Sequence, residues 1–172
     1  MSPLRPDLAD ELFARMSEDQ RIRMMPKVER PPEYLAQWRA VDAENTTALS
    51  RIVDEHGWPG FALVGKEGAT AAWLLAQHAD SNPAFQRRAL SLLAAAVDAG
   101  DADPAHWALL TDRCRVSEDR PQVYGSQYVR DADGQWRMHP VEEAERLDAR
   151  RAAVGLEPQA ENEARIQAMY DE

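Results

Sequence analysis

At 172 residues, 44% apolar and 29% charged, the chain has the size and composition of one soluble globular domain, 1–172, that needs no disulfide or structural metal. A formal charge of −10, with Lys27 and Lys66 the only lysines, excludes a duplex-sized basic face, because neutralising phosphates requires clustered Lys and Arg. No apolar run reaches bilayer length, "MSPLRPDLADEL" lacks a signal-peptide core, and Cys114 is the single cysteine, so the expectation is a cytoplasmic protein with neither membrane nor nucleic-acid partners.

In chain order, residues 6–25 read as a helix with Leu8, Leu12 and Met16 four apart on one side. "PKVERPPE" ends it by fixing φ and removing donors. A long helix follows from about Glu33 to His56, stopped at "HGWPG". After a loop comes an uncharged helix at about 68–79, then one opened by "SNPAF", with Ser81 or Asn82 as cap, and closed by Gly100. "DADPAHW" repeats the device for a helix to about Val116. The period then changes: "QVYGSQYV" and "QWRMH" flank the turn signal "RDADG" and predict a β-hairpin at about 122–139. Two charged helices, about 141–154 and 158–170, finish the chain, and Glu142–Arg146 fits an i,i+4 pair on the first. The fold class expected is mainly α, about six to seven helices with one small hairpin.

Polar residues interrupt the apolar stripes. Leu35, Trp38, Asp42, Asn45, Leu49 and Ile52 follow steps of three and four along the second helix, which puts an acid and an amide in the middle of a buried row. A carboxylate there needs a donor or water. The competing stripe through Val41 and Ala48 leaves Asp42 at the margin. On the first helix, Leu8, Leu12 and Met16 lead on to Gln20, and Met16 leads through Asp19 to Arg23; taken singly, each fits a solvated last turn. "GATAAWLLAQHA" carries no charge, so Gln77 and His78 project from apolar rows at a helix C-terminus, where the helix dipole suits a cation. A core or capping histidine is the plainer account of His78 alone.

"LLTDR" supplies Asp112, able to orient an imidazole, and Arg113, able to hold a carboxylate or phosphate in a two-pronged contact. In the hairpin, Gln122 and Tyr124 share a face, and a bulge at Gly125 would bring Gln127 beside them. No phosphate loop, dinucleotide fingerprint, HExxH or serine-hydrolase elbow occurs, and His78 with Asp80 is too sparse for a metal centre. Neither a metal nor an organic cofactor is expected. Cys114 shares a helical face with Trp107 and Leu110, which suits packing.

The ordered set "EDQRIR", "VDAENT", "HGWPG", "AWLLAQHAD", "FQRR", "LLTDR", "QVYGSQ" and "DARRAAVGL" resembles a family of uncharacterised bacterial proteins, frequent in actinomycetes, known as a domain of unknown function. Ser126 stands where that family usually has threonine, and Trp107 where a smaller apolar residue is common. The resemblance implies that Gln20, Arg23, Asp42, Asn45, Trp58, Gln77, His78, Asp112, Arg113, Gln122, Tyr124 and Gln127 correspond to motif positions; it implies no reaction.

From these residues the expected function is a small enzyme acting on a polar or anionic small molecule. His78 serves as general acid or base, with Asp42 or Asp112 fixing its tautomer. Arg113 or Arg23 neutralises substrate charge; Gln20, Asn45, Gln77, Gln122, Tyr124 and Gln127 orient the substrate, and Trp58 lines the pocket. The alternatives are a metabolite- or peptide-binding module without chemistry and an acidic interaction or inhibitor protein. Oligomeric state is not encoded in any pattern found.

Overall fold

The computed structural model describes residues 2–170, with side chains through Ala168. Among them are seven α-helices and one two-stranded antiparallel hairpin, the mainly-α class expected from periodicity. The chain divides into two compact units, Met1–Asp103 and Pro104–Glu172.

The first unit holds α1 (Pro6–Arg23), α2 (Tyr34–His56), α3 (Phe61–Gln77) and α4 (Pro83–Asp98). Proline at the first turn of α1 and α4 supplies a preset φ where the missing donor costs nothing. The Asn82 side chain caps α4 by accepting from Phe85 N at 3.1 Å, as "SNPAF" suggested. Helix α3 packs along α1 through the small residues Gly68 and Ala9 and is buried on most sides by Val64, Ala69, Ala71, Ala72, Leu75 and Ala76. A stripe of Leu8, Leu12, Asp19 and Ile22 is the buried row of α1.

Two departures from the periodicity reading occur in this unit. On α2 the buried row begins with Tyr34, not Leu35, which is 60% exposed; Trp38 and Asp42 are half-buried, and Asn45, Thr46, Ala48, Leu49, Ile52 and Val53 complete it. Tyr34 is drawn in because its hydroxyl donates to the Ile22 carbonyl at 3.1 Å. Helix α3 also starts earlier than 68. Phe61–Val64 forms a helical turn whose first N–H groups go to Asp101, Phe61 N to its carbonyl at 2.8 Å and Ala62 N to its carboxylate at 2.7 Å. The chain then pivots at Gly65, at φ 72° and ψ 175°, a region open almost only to glycine.

The second unit holds α5 (Pro104–Ser117), β1 (Tyr128–Arg130), β2 (Trp136–Met138), α6 (Leu147–Ala153) and α7 (Gln159–Tyr170). The strands pair Tyr128 with Met138, Val129 with Arg137 and Arg130 with Trp136. The turn between them is organised by Asp131, whose carboxylate accepts from Asp133 N and Gln135 N. The hairpin is thus shorter than 122–139. Residues 122–127 form a loop in which the N–H groups of Val123, Tyr124, Ser126 and Gln127 bond to side chains in place of a ladder, so strand alternation does not govern Gln122, Tyr124 and Gln127.

The helix expected at 141–154 is likewise shortened. Val141 forms an isolated parallel bridge with Gln122, Glu142 N donates to the Gln122 carbonyl, and Glu143 is left-handed at φ 39°, so only a 3-10 turn, Ala144–Arg146, precedes α6. Glu142 accordingly pairs with Arg115, and Arg146 with Glu143, in place of the i,i+4 pair.

Because Gly65 carries the pivot without its own crowding, with only Pro3 Cβ at 3.9 Å from an added methyl, Gly65→Ala reports backbone strain cleanly. The variant is expected to lose about 1–3 kcal/mol in urea unfolding. An unchanged midpoint would show that the pivot relaxes freely.

Candidate functional site

The first unit brings together Asp19 and Arg23 from the last turns of α1, Asp42 from the middle of α2 and His78 at the C-cap of α3. His78 occupies that cap with its backbone N–H donating to Leu74 O at 3.1 Å, which holds the ring at the end of an otherwise apolar helix. Its Nδ1 lies 3.0 and 2.9 Å from the two Asp19 oxygens. Asp19 is 1% exposed and accepts from two further donors, Arg23 Nε at 3.0 Å and Gln20 Nε2 at 2.8 Å. Arg23 then bridges onward, its Nη2 donating to Asp42 Oδ1 at 2.6 Å while the guanidinium stacks over the Trp38 ring at 4.7 Å.

The carboxylate on His78 is therefore Asp19, in the role the sequence reading gave to Asp42 or Asp112. A carboxylate at Nδ1 selects the tautomer with its proton on that nitrogen and presents Nε2 as an acceptor. Nε2 makes no hydrogen bond among the described residues, and the side chain as a whole is 16% exposed. The two acids respond differently to burial. Burial pushes Asp19 up, but the His78 hydrogen bond and the charges of His78 and Arg23 overcome it and leave the group below the ordinary carboxylate value. For Asp42, burial wins over the attraction of Arg23, with the nearby Asp19 charge adding to it, and the group lies above the ordinary value.

Asn45 follows Asp42 by three residues on the same face of α2 and is 5% exposed, with its Nδ2 buried and without a partner. Gln77 precedes His78, and its Oε1 is likewise buried and unpartnered. Trp58 is buried beyond the α2 terminus and makes no described hydrogen bond to this cluster. A polar groove lined by Thr47, Ser50, Arg51, Asp54 and Asn82 shares no residue with it.

The remaining candidates meet in the second unit around Asp112, which is 0% exposed. Its carboxylate accepts from Val123 N at 2.7 Å, Tyr124 N at 3.0 Å, Ser126 N at 3.0 Å and Ser126 Oγ at 2.9 Å. The hydroxyl that serine shares with threonine is thus part of the loop's anchorage. Gln122 is equally committed: its Oε1 accepts from Gln127 N, and its Nε2 donates to the carbonyls of Gln127 and His139. Arg113 Nη1 donates to Gln127 Oε1 at 3.0 Å. Tyr124 packs edge-on to Trp107, and burial raises its phenol above the ordinary value.

The loop's carbonyls are held from the other side by α6 and α7. Arg150 donates to Val123 O, Arg151 to Tyr124 O and Asn162 to Gly125 O. Gly125 turns the loop at φ 66°, where an added methyl would meet Gln159 Oε1 at 2.9 Å and Met138 Sδ at 3.0 Å.

Sequence reasoning missed the central residue, Asp19. Its signal was spacing: Asp19 follows Leu12 by seven residues, two turns on the same buried row, and precedes Arg23 by four. Asp112 was found, but its role differs. With both oxygens taken by loop donors, it builds the segment that carries Gln122, Tyr124 and Gln127.

Residues 6–171 match the model of a family of unknown function, DUF6624, and the chain belongs to that family. No curated protein and no solved structure matches it. Among the described residues no helix is long and apolar enough to cross a membrane, and no three His, Cys, Asp or Glu side chains are grouped to hold a metal ion.

Replacing Asp19 by Ala leaves Arg23 and His78 without their shared acceptor and is expected to cost about 3–5 kcal/mol at neutral pH in chemical denaturation. Asp19 is depressed when folded, so its contribution is complete above the unfolded value of about 3.9 and is lost as pH falls through the lower folded value. The gap between wild type and Asp19→Asn should accordingly close in acid. Asp42 acts with the opposite sign: its raised folded value favours the fold at low pH, and that contribution is lost as pH rises through it.

For the second centre, Asp112→Asn retains shape but replaces acceptor capacity with donors facing donors. Amide exchange at Tyr124 and Ser126 should quicken by at least about tenfold, equivalent to about 1.4 kcal/mol of lost protection. Unchanged exchange there would show that the loop stands without the carboxylate.

Proposed function

We propose that the protein is a small enzyme that performs acid–base chemistry on a polar small molecule, with His78 as the catalytic group and Asp19 as its positioning residue. The single observation that supports this most is a fully buried carboxylate fixed to Nδ1 of a partly exposed histidine whose Nε2 has no hydrogen bond among the described residues. A histidine that served only packing or capping needs no buried counter-ion with two further donors. In the Nδ1–H tautomer Nε2 accepts a proton from substrate; the resulting imidazolium is stabilised by Asp19 and returns the proton through the same nitrogen. Hydrolysis, elimination and isomerisation each need a transfer of this kind.

Arg23 has two carboxylates and an aromatic face as partners, so its charge is matched within the protein, and "polar" is the part of the expected substrate class retained for this site. Gln122, Tyr124 and Gln127 belong to the loop built on Asp112, Arg113 reaches it from α5, and their proposed part is to shape that segment. With one cysteine, buried in α5, the chemistry is assigned to the cytoplasm.

The test has two readouts. Long-range 1H–15N spectra should show His78 as the Nδ1–H tautomer in the wild type and as a tautomer mixture in Asp19→Asn. A metabolite thermal-shift screen should then give ligands that stabilise wild type by about 2.7 kcal/mol at a hundred times Kd. His78→Ala should keep those ligands and abolish their turnover. Ligands lost with His78 and never turned over would replace the enzyme by a binding module.

A further inference from the structure

Arg23 uses its guanidinium differently from two other arginines of the same unit. Arg5 sets Nε and Nη2 side-on against the two oxygens of Asp7, at 2.9 and 2.7 Å, and Arg21 does the same with Glu18, at 2.7 and 2.6 Å. That parallel pair is the geometry in which the guanidinium fork matches a carboxylate. Arg23 divides the same two donors between two acids: Nε goes to Asp19 Oδ1 at 3.0 Å, and Nη2 goes to Asp42 Oδ1 at 2.6 Å. Trp38, one turn before Asp42 on α2, lies under the guanidinium with its ring centroid 4.7 Å away. One helix thus supplies both a face and an acceptor that keep Arg23 from a side-on grip of Asp19.

The consequence falls on Asp19. Its Oδ2 receives Gln20 Nε2 at 2.8 Å and His78 Nδ1 at 2.9 Å. An ionised carboxylate offers about two lone pairs per oxygen, so both sites on Oδ2 are taken. A side-on Arg23 would bring Nη2 to that oxygen as a third, charged donor. His78 is the donor that yields, because it meets both oxygens nearly equally, at 3.0 and 2.9 Å, while Gln20 is tied next to Asp19 in the chain. Resting on the assignment of His78 as the reacting group, we propose that Asp42 is a second positioning residue: by holding Arg23 Nη2, it leaves Asp19 Oδ2 to Nδ1 of His78. The carboxylate of Asp42 bonds to Arg23 and not to the imidazole, so its effect on the ring passes through the guanidinium. The role needs no particular charge on His78, since Nδ1 is the donor to Asp19 whether the ring is neutral or protonated.

The experiment reads the His78 tautomer from long-range 1H–15N spectra in mildly alkaline solution. It compares wild type, Asp42→Ala, Asp42→Asn, and Arg23→Gln with and without Asp42→Ala, each checked for an intact fold. Asp42→Ala removes the acceptor, and the Nε2–H fraction should rise about tenfold, the scale of one weakened charge-assisted hydrogen bond. Asp42→Asn keeps an oxygen for Nη2 and should restore most of the wild-type ratio. In Arg23→Gln the Ala substitution should change nothing, whereas a merely structural Asp42 would disturb the ring with or without the guanidinium. A folded Asp42→Ala with the wild-type tautomer overturns the proposal, and so does an Asn variant as mixed as the Ala variant. Should Asp42→Ala unfold, Asp42→Leu fills the volume without an acceptor and takes its place. If neither folds, the wild-type Arg23 side chain decides: a separate, slowly exchanging Nη2 signal is required, and fully averaged Nη signals overturn the assignment. An unchanged Asp42→Ala beside a mixed Asp19→Asn removes the role of Asp42 alone. A wild type that is already a tautomer mixture removes that of Asp19 as well.

Discussion

The first unit is arranged around one buried negative charge. Asp19 sits in the apolar row of α1, between Leu12 and Ile22, where an unmet carboxylate would be prohibitive. Its survival requires donors from outside the row, and these set the geometry of everything near them. Gln20 and Arg23 reach it from its own helix, and His78 arrives from the C-terminus of α3. The Arg23 side chain then fixes Asp42 and lies over the Trp38 ring, which ties α2 into the same network. Removing the charge does more than delete a contact: it leaves a half-buried guanidinium and an imidazole without a common reason to be where they are.

Asp112 solves the same physical problem to a different end. It too is an acid with no exposure, yet its donors are mainly backbone N–H groups of residues 123, 124 and 126. Those amides would otherwise be unpaired, because the loop is neither helix nor ladder. Arg151, itself buried and lowered by burial from its ordinary value, takes a carbonyl of the same loop. A negative charge on the N–H side and a positive charge on the carbonyl side hold the peptide groups between them. Nothing reactive is left over at Asp112. At Asp19 the donors are side chains, one of which, His78, has a second nitrogen outside the pair.

What the sequence disclosed follows from which forces are local. Helix positions, the Asn82 cap and the Gly100 stop were legible, because periodicity, capping and φ preferences act within a few residues. The polar interruptions at Asp42, Asn45, Gln77 and His78 were legible for the same reason. Their partners were not. Nothing within several residues of His78 reveals that Asp19, 59 positions earlier, holds its Nδ1. The short hairpin and the broken helix before α6 failed together for one cause. Strand propensity in "QVYGSQYV" is overridden by a carboxylate eleven residues upstream that collects the loop's amides, and the bridge from Gln122 to Val141 then denies the next helix its first turn. Leu35 was misplaced through tertiary competition: Tyr34, one position away, found a hydrogen bond to the end of α1 and took the buried face.

Burial opposes ionisation of both Asp19 and Asp42, yet the two end on opposite sides of the ordinary carboxylate value. The reason is partner number. Asp19 has three donors and is committed to the charged state whatever binds nearby; Asp42 has one and carries an unmet share of its desolvation cost. A group already satisfied cannot distinguish ligands, since no ligand improves its position. A group left partly unsatisfied rewards the ligand that completes it. Orientation of the imidazole therefore belongs to Asp19, and the single guanidinium of Arg23 lets the two acids stand close while their ionisation shifts in opposite directions.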